Sequence, residues 1–347
     1  MREMKDSGIE WAGVIPNTWN INKGKYFMEL LTRPTLETDE VITCFRDGEV
    51  TLRSKRREEG FTVSLTEAGY QGIEIGDLVV HGMDGFAGSI GISDSRGKAT
   101  PVLNVLDTEQ NKRYMMYLMR TMAYCELFLS LATGIRVRTC DTNWKKLREI
   151  DYILPTIPEQ KAIADFLDEQ CAEIDSLISD IQSQIEALEE YKRSVITEAV
   201  TKGLDPDVEM RDSGVQWIGM MPTHWDCQRG KYLLRYVQKP VRDDDGVITC
   251  FRDGEVTLRS NRREEGFTMA DKEIGYQGID VGDLVVHGMD GFAGSIGISD
   301  SKGKASPVLN VLDTEQNKRY IMYYLRSMAY NDVFVALATG IRVRSCD

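Results

Sequence analysis

The sequence predicts an α+β fold, in which two repeated domains of mixed α/β structure are linked by a long helix of the coiled-coil type. Three observations predict this fold class: an internal repeat, short apolar runs between glycines within each copy, and a heptad pattern between the copies. The length of 347 residues agrees with two domains, because an average domain holds about 150 residues.

The internal repeat is strongest in glycine-containing segments. The segment GDLVVHGMDGFAGSIGISDS at 76–95 recurs unchanged at 282–301, and VITCFRDGEVTLRS at 41–54 recurs at 247–260. Sequences this similar adopt one architecture, so both copies are expected to share a fold. The second copy stops at Asp347, and we expect it to lack the helix that follows the first copy.

Each copy is predicted to form a small mixed α/β domain. The apolar runs at 77–80, 89–92 and 101–105 are punctuated by glycines and predict strands of an antiparallel or mixed sheet. Over residues 110–132 the apolar side chains approach helical spacing, so one helix is expected there.

A long helix is predicted between the copies. Pro158 suits the first helical turn, where no backbone donor is lost, and Gly203 suits a helix C-terminus. Six apolar residues between them step by 4, 3, 4, 3 and 7 positions, a heptad seam that packs against a facing helix. The length of this seam favours a coiled coil over a helix that lies along its own domain. These residues, called the heptad stripe below, are Ile174, Ile178, Ile181, Ile185, Leu188 and Val195.

The repeat and the helix set the predicted domain boundaries. We expect a first domain at 1–155, a helical spacer at 156–205 and a second domain at 206–347, with the second spacer helix absent. Either the chain is truncated there, or its single helix pairs with a helix of another molecule.

The charge distribution bears on the partners. A formal net charge of −13 is unusual for a nucleic-acid-binding protein, because phosphates attract a basic surface. Much of the acid is local, since residues 157–200 hold eleven Asp or Glu against three Lys or Arg. The sequence shows neither a signal peptide nor an apolar run of membrane-spanning length, so we expect a cytoplasmic protein with no membrane partner.

The sequence also argues against a metal or catalytic site. It has no GxxxxGKS/T, HExxH or GxSxG motif, nor the Asn/Asp-Pro-Pro-Tyr/Phe pattern of adenine methyltransferases, so we expect no catalytic residue, metal or cofactor. The seven cysteines show no zinc-type spacing, and we interpret them as reduced thiols in the core. They are Cys44, Cys125, Cys140, Cys171, Cys227, Cys250 and Cys346.

Three segments carry a resemblance to a known family. Residues 154–164 read LPTIPEQKAIA, and the heptad helix ends in KRSVITEAVTKGLD at 192–205. An opening motif, Ser-Gly-x-x-Trp with a later Pro and Trp, occurs at 7–19 and again at 213–225. Together with the repeated domain, these features resemble the specificity subunits of type I restriction-modification enzymes over the whole chain.

The resemblance implies a DNA-reading subunit that is not catalytic by itself. In that family two target-recognition domains each bind half of a bipartite double-stranded DNA site. Antiparallel helices set the spacing and dock methyltransferase subunits, which recruit a restriction and translocase subunit. The near identity of the two copies then implies equal half-sites in inverted order. A homodimer through the single helix is an alternative way to pair the helices.

The basic segment at 51–57 and its copy are the first candidates for DNA contact. Arginine can bridge guanine O6 and N7, whereas lysine mostly meets phosphate. A solvated charged loop is the ordinary alternative, because two glutamates follow directly. The candidate residues are Arg53, Lys55, Arg56 and Arg57 in the first copy, and Arg259, Arg262 and Arg263 in the second, where Asn261 replaces the lysine.

Two further segments of each copy are candidates. An Ile-Arg-Val-Arg strand would place two arginines on one side, and the glycine-rich loop at 81–88 would allow close approach of DNA while His and Asp bond to bases. A surface strand and a structural turn are the ordinary alternatives. The candidate residues are Arg136, Arg138, Arg342 and Arg344 on the strands, and His81, Asp84, His287 and Asp290 in the loops.

The sequence leaves a second class of function open. A non-catalytic coiled-coil protein whose repeated domains bind another protein, as an inhibitor or a DNA mimic, would also explain the repeat and the acidity. Duplex DNA binding that weakens steeply with salt separates the two hypotheses, because a DNA mimic has no affinity for duplex DNA.

Overall fold

The structure consists of short strands, several short helices and one long helix. The chain separates into two compact units, Met1–Ile178 and Ser179–Asp347, and the division falls within the long helix. The computed structural model describes residues 3–56, 68–130, 142–262 and 274–337.

The first unit contains strands that mostly have three or four residues. In chain order they are β1 (Met4–Asp6), β2 (Val14–Pro16), β3 (Asn20–Lys23), β4 (Met28–Leu30), β5 (Ile42–Cys44), β6 (Val50–Leu52), β7 (Gln71–Ile73), β8 (Leu78–His81), β9 (Ile90–Ile92), β10 (Gly97–Ala99), β11 (Leu103–Thr108) and β12 (Asp151–Leu154). The helices are α1 (Lys112–Tyr124), α2 (Leu127–Ser130) and α3 (Trp144–Leu147), followed by the long helix α4 (Ile157–Lys202).

The second unit repeats the core of this arrangement. Its strands are β13 (Met210–Asp212), β14 (Met220–Pro222), β15 (Arg235–Tyr236), β16 (Ile248–Cys250), β17 (Val256–Leu258), β18 (Gln277–Ile279), β19 (Leu284–His287), β20 (Ile296–Ile298), β21 (Gly303–Ala305) and β22 (Leu309–Asp313). Its helices after α4 are α5 (Gly230–Leu233), α6 (Lys318–Tyr330) and α7 (Val333–Leu337). The sheet order β4-β11-β8-β9 of the first unit returns as β15-β22-β19-β20, so the sequence repeat is a repeat of structure.

The central sheet is covered on both faces. Leu78 and Val80 pack with Met119 of α1, whereas Val79 packs on the other face with Val50 of hairpin β5–β6. Side chains alternate along a strand, so a strand buried on both faces reads as a continuous apolar run. The ladders among the described residues are antiparallel, which confirms the expected type of sheet.

The single helix predicted over residues 110–132 is wrong, because the helix is interrupted. α1 ends at Tyr124, Glu126 adopts a left-handed φ of 59°, and α2 begins at Leu127. The interruption redirects the chain so that Phe128 is fully buried in the cluster that α1 covers. The second unit has the same interruption at Asp332, with a φ of 55°.

The cysteines only partly match their predicted role. Cys44 and Cys250 are buried in equivalent clusters, and burial raises the pKa of each thiol to about 12. The interpretation as core thiols is wrong for Cys125, Cys171 and Cys227, which are exposed at the end of α1, on α4 and in a loop. Cys140 and Cys346 lie outside the described residues.

The start of α4 is capped by Glu159, and a buried glutamine fixes it to the first unit. Glu159 Oε2 accepts hydrogen bonds from Thr156 Oγ1 at 3.0 Å and from the Thr156 backbone N–H at 3.2 Å. Gln160 is fully buried, where its Oε1 accepts from the N–H of Asn111 at 2.9 Å and its Nε2 donates to the Pro155 carbonyl at 2.9 Å. The predicted helix start is therefore confirmed.

Side chains of α1 extend this contact along the first turns of α4. Arg113 forms ion pairs with Asp165 and Asp168, and Tyr117 Oη donates to Asp168 Oδ1 at 2.8 Å. Two of the acidic residues that make the segment 157–200 acidic therefore bind α1 of the domain that precedes the helix.

The end of α4 packs within the second unit. Tyr320 Oη donates to the Val200 carbonyl at 3.0 Å, and Ser327 Oγ donates to Thr197 Oγ1 at 3.0 Å. Gly203 follows the helix with a φ of 81°, which confirms the predicted stop. In the part of the chain that the structure describes, none of the helices has the length and apolarity needed to cross a bilayer.

Candidate nucleic-acid interface

The basic segment after β6 forms one turn of 3₁₀ helix, Arg53–Lys55, at the end of hairpin β5–β6. Arg53 Nε donates to Thr43 Oγ1 at 3.1 Å. Lys55 Nζ lies 3.1 Å from Asp94 Oδ2 and 2.8 Å from Ser95 Oγ. The segment therefore lies at the end of a hairpin, and its cations have polar partners within the first unit.

Arg56 is held by two carboxylates and one aromatic ring. Its Nη1 lies 2.7 Å from Asp47 Oδ2 and 2.8 Å from Glu49 Oε2, and its guanidinium carbon lies 4.3 Å from the centre of the Phe45 ring. The hydrogen bond to Asp47 raises the pKa of Arg56. These partners come from the turn of hairpin β5–β6, so the basic segment is fastened to that turn.

The second unit repeats this arrangement with one change. Arg259 Nε donates to Thr249 Oγ1 at 3.1 Å, and Arg262 Nη1 lies 2.7 Å from Asp253 Oδ2. The substituted position keeps a polar contact, because Asn261 Nδ2 donates to the Thr257 hydroxyl at 2.8 Å. In the second unit a single hydrogen bond of a neutral amide therefore replaces the lysine charge and its two hydrogen bonds.

The glycine-rich loop between β8 and β9 is organised by a histidine. Nδ1 of His81 accepts hydrogen bonds from the backbone N–H groups of Met83 at 3.2 Å and Asp84 at 3.0 Å, so the neutral ring carries its proton on Nε2. Burial lowers the pKa of His81 below its ordinary value of 6.5 and favours this neutral form. His287 accepts the two equivalent bonds at 3.2 and 3.0 Å, and burial lowers its pKa too.

An arginine that the sequence reasoning missed joins this loop. Arg46 lies in the turn of hairpin β5–β6, and its Nη2 donates to Asp84 Oδ1 at 3.1 Å while 64% of its side chain is exposed. Arg252 repeats the contact with Asp290 at 3.2 Å and is 69% exposed. Arg46 was not predicted because the basic residues are more closely spaced in the following segment, 51–57. The CFRDGE turn, unchanged between the copies, was the signal that could have identified this pair.

The hairpin turn brings two predicted regions together. Asp47 in the turn binds Arg56 of the basic segment, and Arg46 beside it binds Asp84 of the glycine-rich loop. Among the described residues no group of three or more His, Cys, Asp or Glu could hold a metal ion. The remaining predicted contacts lie outside the described residues, namely Arg57, Arg136, Arg138, Arg263, Arg342 and Arg344.

The heptad stripe of α4 is exposed along its whole length. The exposed fraction of its six residues ranges from 45% at Ile185 and Val195 to 66% at Leu188. A helix that lies along its own domain through this stripe would bury these side chains, so that alternative does not describe α4. Apolar residues at heptad spacing and this exposure are typical of a surface that packs against another helix.

The chain is similar in sequence to a known protein over one segment. No family model matches the chain. The chain is 30% identical over 129 residues to a putative type I restriction enzyme MjaX specificity subunit of Methanocaldococcus jannaschii. That alignment covers 36% of this chain and 28% of the curated relative's length.

Two solved structures share the fold at low sequence identity. The HsdS subunit from Thermoanaerobacter tengcongensis matches with a TM-score of 0.50 and 10% identity, over 98% of this chain and 85% of that one. A chain from a structure of complex assembly and conformational transition of the type I R-M system matches with a TM-score of 0.52 and 10% identity, over 91% and 81% of the two chains. The chain is therefore similar to the specificity subunits of type I restriction enzymes, in sequence over one segment and in fold over most of its length.

Proposed function

We propose that the chain is the DNA sequence-recognition subunit of a type I restriction-modification complex. Each repeated unit binds one half of a bipartite double-stranded DNA site, and α4 docks the methyltransferase subunits. A restriction and translocase subunit joins through that complex. The chain itself supplies no catalytic residue, metal or cofactor, so the chemistry belongs to its partners.

One observation carries this proposal: the repeat extends to hydrogen bonds at the protein surface. Both units expose an arginine from the same hairpin turn, paired with an aspartate of the same loop at 3.1 and 3.2 Å. A protein that reads two half-sites needs two such surfaces, whereas a catalytic protein needs one reaction centre. The basic segments and the two loops are the proposed DNA contacts, together with the predicted arginines outside the described residues.

The near identity of the units predicts the symmetry of the DNA site. Units with the same surface residues select the same bases, and the resemblance to the specificity subunits implies that the two half-sites are in inverted order. We expect an interrupted palindrome with adenine methylated in both arms. Methylation-sensitive sequencing of DNA from cells that carry the complete system measures this directly, and an asymmetric motif would contradict the symmetric site.

A binding experiment tests DNA recognition itself. The chain assembled with its methyltransferase subunits should bind duplex DNA, and the affinity should fall on the order of 10³-fold between about 50 and 200 mM salt if about six phosphates are contacted. The chain alone and the methyltransferase alone are the controls. Absence of duplex affinity in the assembled complex would contradict the proposal and would favour a DNA mimic.

The exposed stripe of α4 supports a second part of the proposal. Without other subunits, the stripe of one chain pairs with the stripe of a second copy, because apolar heptads are stable only against a facing helix. Methyltransferase subunits then dock on the helical pair or replace it.

A further inference from the structure

The turn of hairpin β5–β6 and the loop after β8 are held together by close backbone packing. A Cβ atom at Gly91 would lie 1.8 Å from the Gly48 carbonyl oxygen, and one at Gly88 would lie 3.0 Å from the Arg46 carbonyl oxygen. Gly88 also has a φ of +90°, a conformation that residues with a side chain rarely adopt. The equivalent distances in the second unit are 2.0 and 3.0 Å. A side chain at Gly91 would clash with the Gly48 carbonyl, and one at Gly88 would be strained by its backbone conformation, so these glycines allow the turn that carries Arg46 to pack closely against β9 and the loop before it.

The side chain of Arg46 is placed by a chain of hydrogen bonds. The His81 ring accepts the backbone N–H of Asp84, and the Asp84 carboxylate accepts one Nη of Arg46. Among the described residues, Asp84 is the one ion-pair partner of Arg46. The guanidinium has five N–H donors, so most of them remain available on a side chain that is 64% exposed.

Arg56 of the same hairpin provides the contrast. Two carboxylates and the Phe45 ring surround its guanidinium, and its exposed fraction of 36% is close to half that of Arg46. A new contact by Arg56 must replace these partners, whereas a new contact by Arg46 leaves its aspartate in place. Of these two arginines, Arg46 is the one presented to a ligand, and Arg252 is its counterpart in the second unit.

We infer that Arg46 and Arg252 each read a guanine in their half-site, and that Asp84 and Asp290 position them. The fork of N–H donors on arginine matches the O6 and N7 acceptors of guanine in the major groove. An arginine already oriented by a carboxylate loses less conformational freedom on binding than an unrestrained one. This inference rests on the proposed function, and it makes the aspartates and histidines of the loops positioning residues.

The phosphate oxygens of DNA also accept hydrogen bonds from arginine, as guanine O6 and N7 do. The experiment must therefore separate a contact with a base from a contact with a DNA phosphate. The assembled complex is used to select bound sequences from a random duplex library. The variants are Arg46→Ala, Arg46→Lys and Arg252→Ala. Arg148→Ala is the matched control, because it removes an exposed arginine of the first unit that pairs with its neighbour Glu149. Thermal unfolding of each variant verifies that it folds.

The wild-type complex should select a symmetric motif that contains guanine in both arms. Arg46→Ala and Arg252→Ala should each lower the preference for guanine at one position by at least about fivefold, in one arm only, so that the motif becomes asymmetric. Arg46→Lys keeps the charge but loses the fork, and it should lose the same preference. Arg148→Ala should select the wild-type motif.

Three outcomes remain distinguishable. An unchanged motif in Arg46→Ala and Arg252→Ala would overturn the inference. An unchanged motif with uniformly weaker binding would identify a phosphate contact and would also overturn it. Absence of any motif for the wild-type complex would instead contradict the proposed function.

Discussion

Charge pairing within each unit decides which basic residues face outward. Lys55 and Arg56 form ion pairs with acids of their own unit. Arg46 forms an ion pair with one aspartate, Asp84, and its side chain stays exposed. Exposed ion pairs contribute little to stability, so their main effect here is on orientation. The acidity of the chain is therefore compatible with DNA contact, because acids organise the cations that remain at the surface.

The two loop histidines predict a pH dependence of stability. Burial lowers the pKa of His81 and His287 below 6.5, so between the folded and the ordinary pKa the unfolded chain binds more protons. The contribution of the two neutral histidines to the free energy of unfolding should be fully present above about pH 6.5, and it should be lost as the pH falls toward the pKa of the folded state. Calorimetric unfolding midpoints at pH 7.5 and 5.5 measure this effect. The double variant His81→Asn with His287→Asn, which keeps an acceptor near Nδ1, should shift less between these pH values. Equal shifts of the unfolding midpoint in the wild type and the double variant would contradict the assignment of this pH dependence to the two histidines.

At the scale of elements, α4 is anchored at both ends by polar contacts and exposed in between. Gln160 is buried at its start, and Thr201 is buried at its end. The intervening heptad stripe has no cover in the described chain. A helix with this distribution of burial is held by its ends, so its apolar stripe is available for a partner.

The buried glutamine gives a test of the anchor. Gln160→Ala should destabilise the first unit by roughly 2 kcal/mol, because the N–H of Asn111 and the Pro155 carbonyl lose their side-chain partner in a buried site. Gln182→Ala on the same helix is the matched control, since Gln182 is exposed and should change stability by less than about 0.5 kcal/mol. Chemical denaturation measures the free energy of unfolding of both variants. Equal values for the two variants would show that Gln160 does not anchor α4.

At the scale of the whole molecule, the exposed stripe predicts self-association of the isolated chain. The wild type should have twice the mass of one 39.3 kDa chain in light scattering, because helical pairing removes the stripe from water. Ile178→Lys with Ile185→Lys should give the mass of one chain. Ser179→Lys with Ser183→Lys, which adds the same charge outside the stripe, should leave the dimer intact. A wild-type monomer, or equal masses for the two double variants, would contradict pairing through the stripe.

The sequence alone determined the repeat, the long helix with both its ends, and three of the four strands of the first unit's central sheet, since β4 was not predicted. These features are local or periodic: Pro158 and Gly203 mark helix ends wherever they occur, and apolar spacing reports the buried face of a helix or strand. The family resemblance likewise rested on contiguous segments, and the comparisons agree with it. The interruption of the helix at Glu126 escaped detection, because only the tertiary packing of Phe128 requires it.

Only the tertiary structure decided which arginine is presented. The sequence indicated a basic segment, but Arg56 acquires its carboxylate partners through folding of the hairpin, and Arg46 meets Asp84 only because two loops distant in sequence pack together. Charge density along a chain does not reveal which charges neutralise one another across it. The physical reason is that an ion pair depends on distance in space, and the sequence gives distance only along the chain.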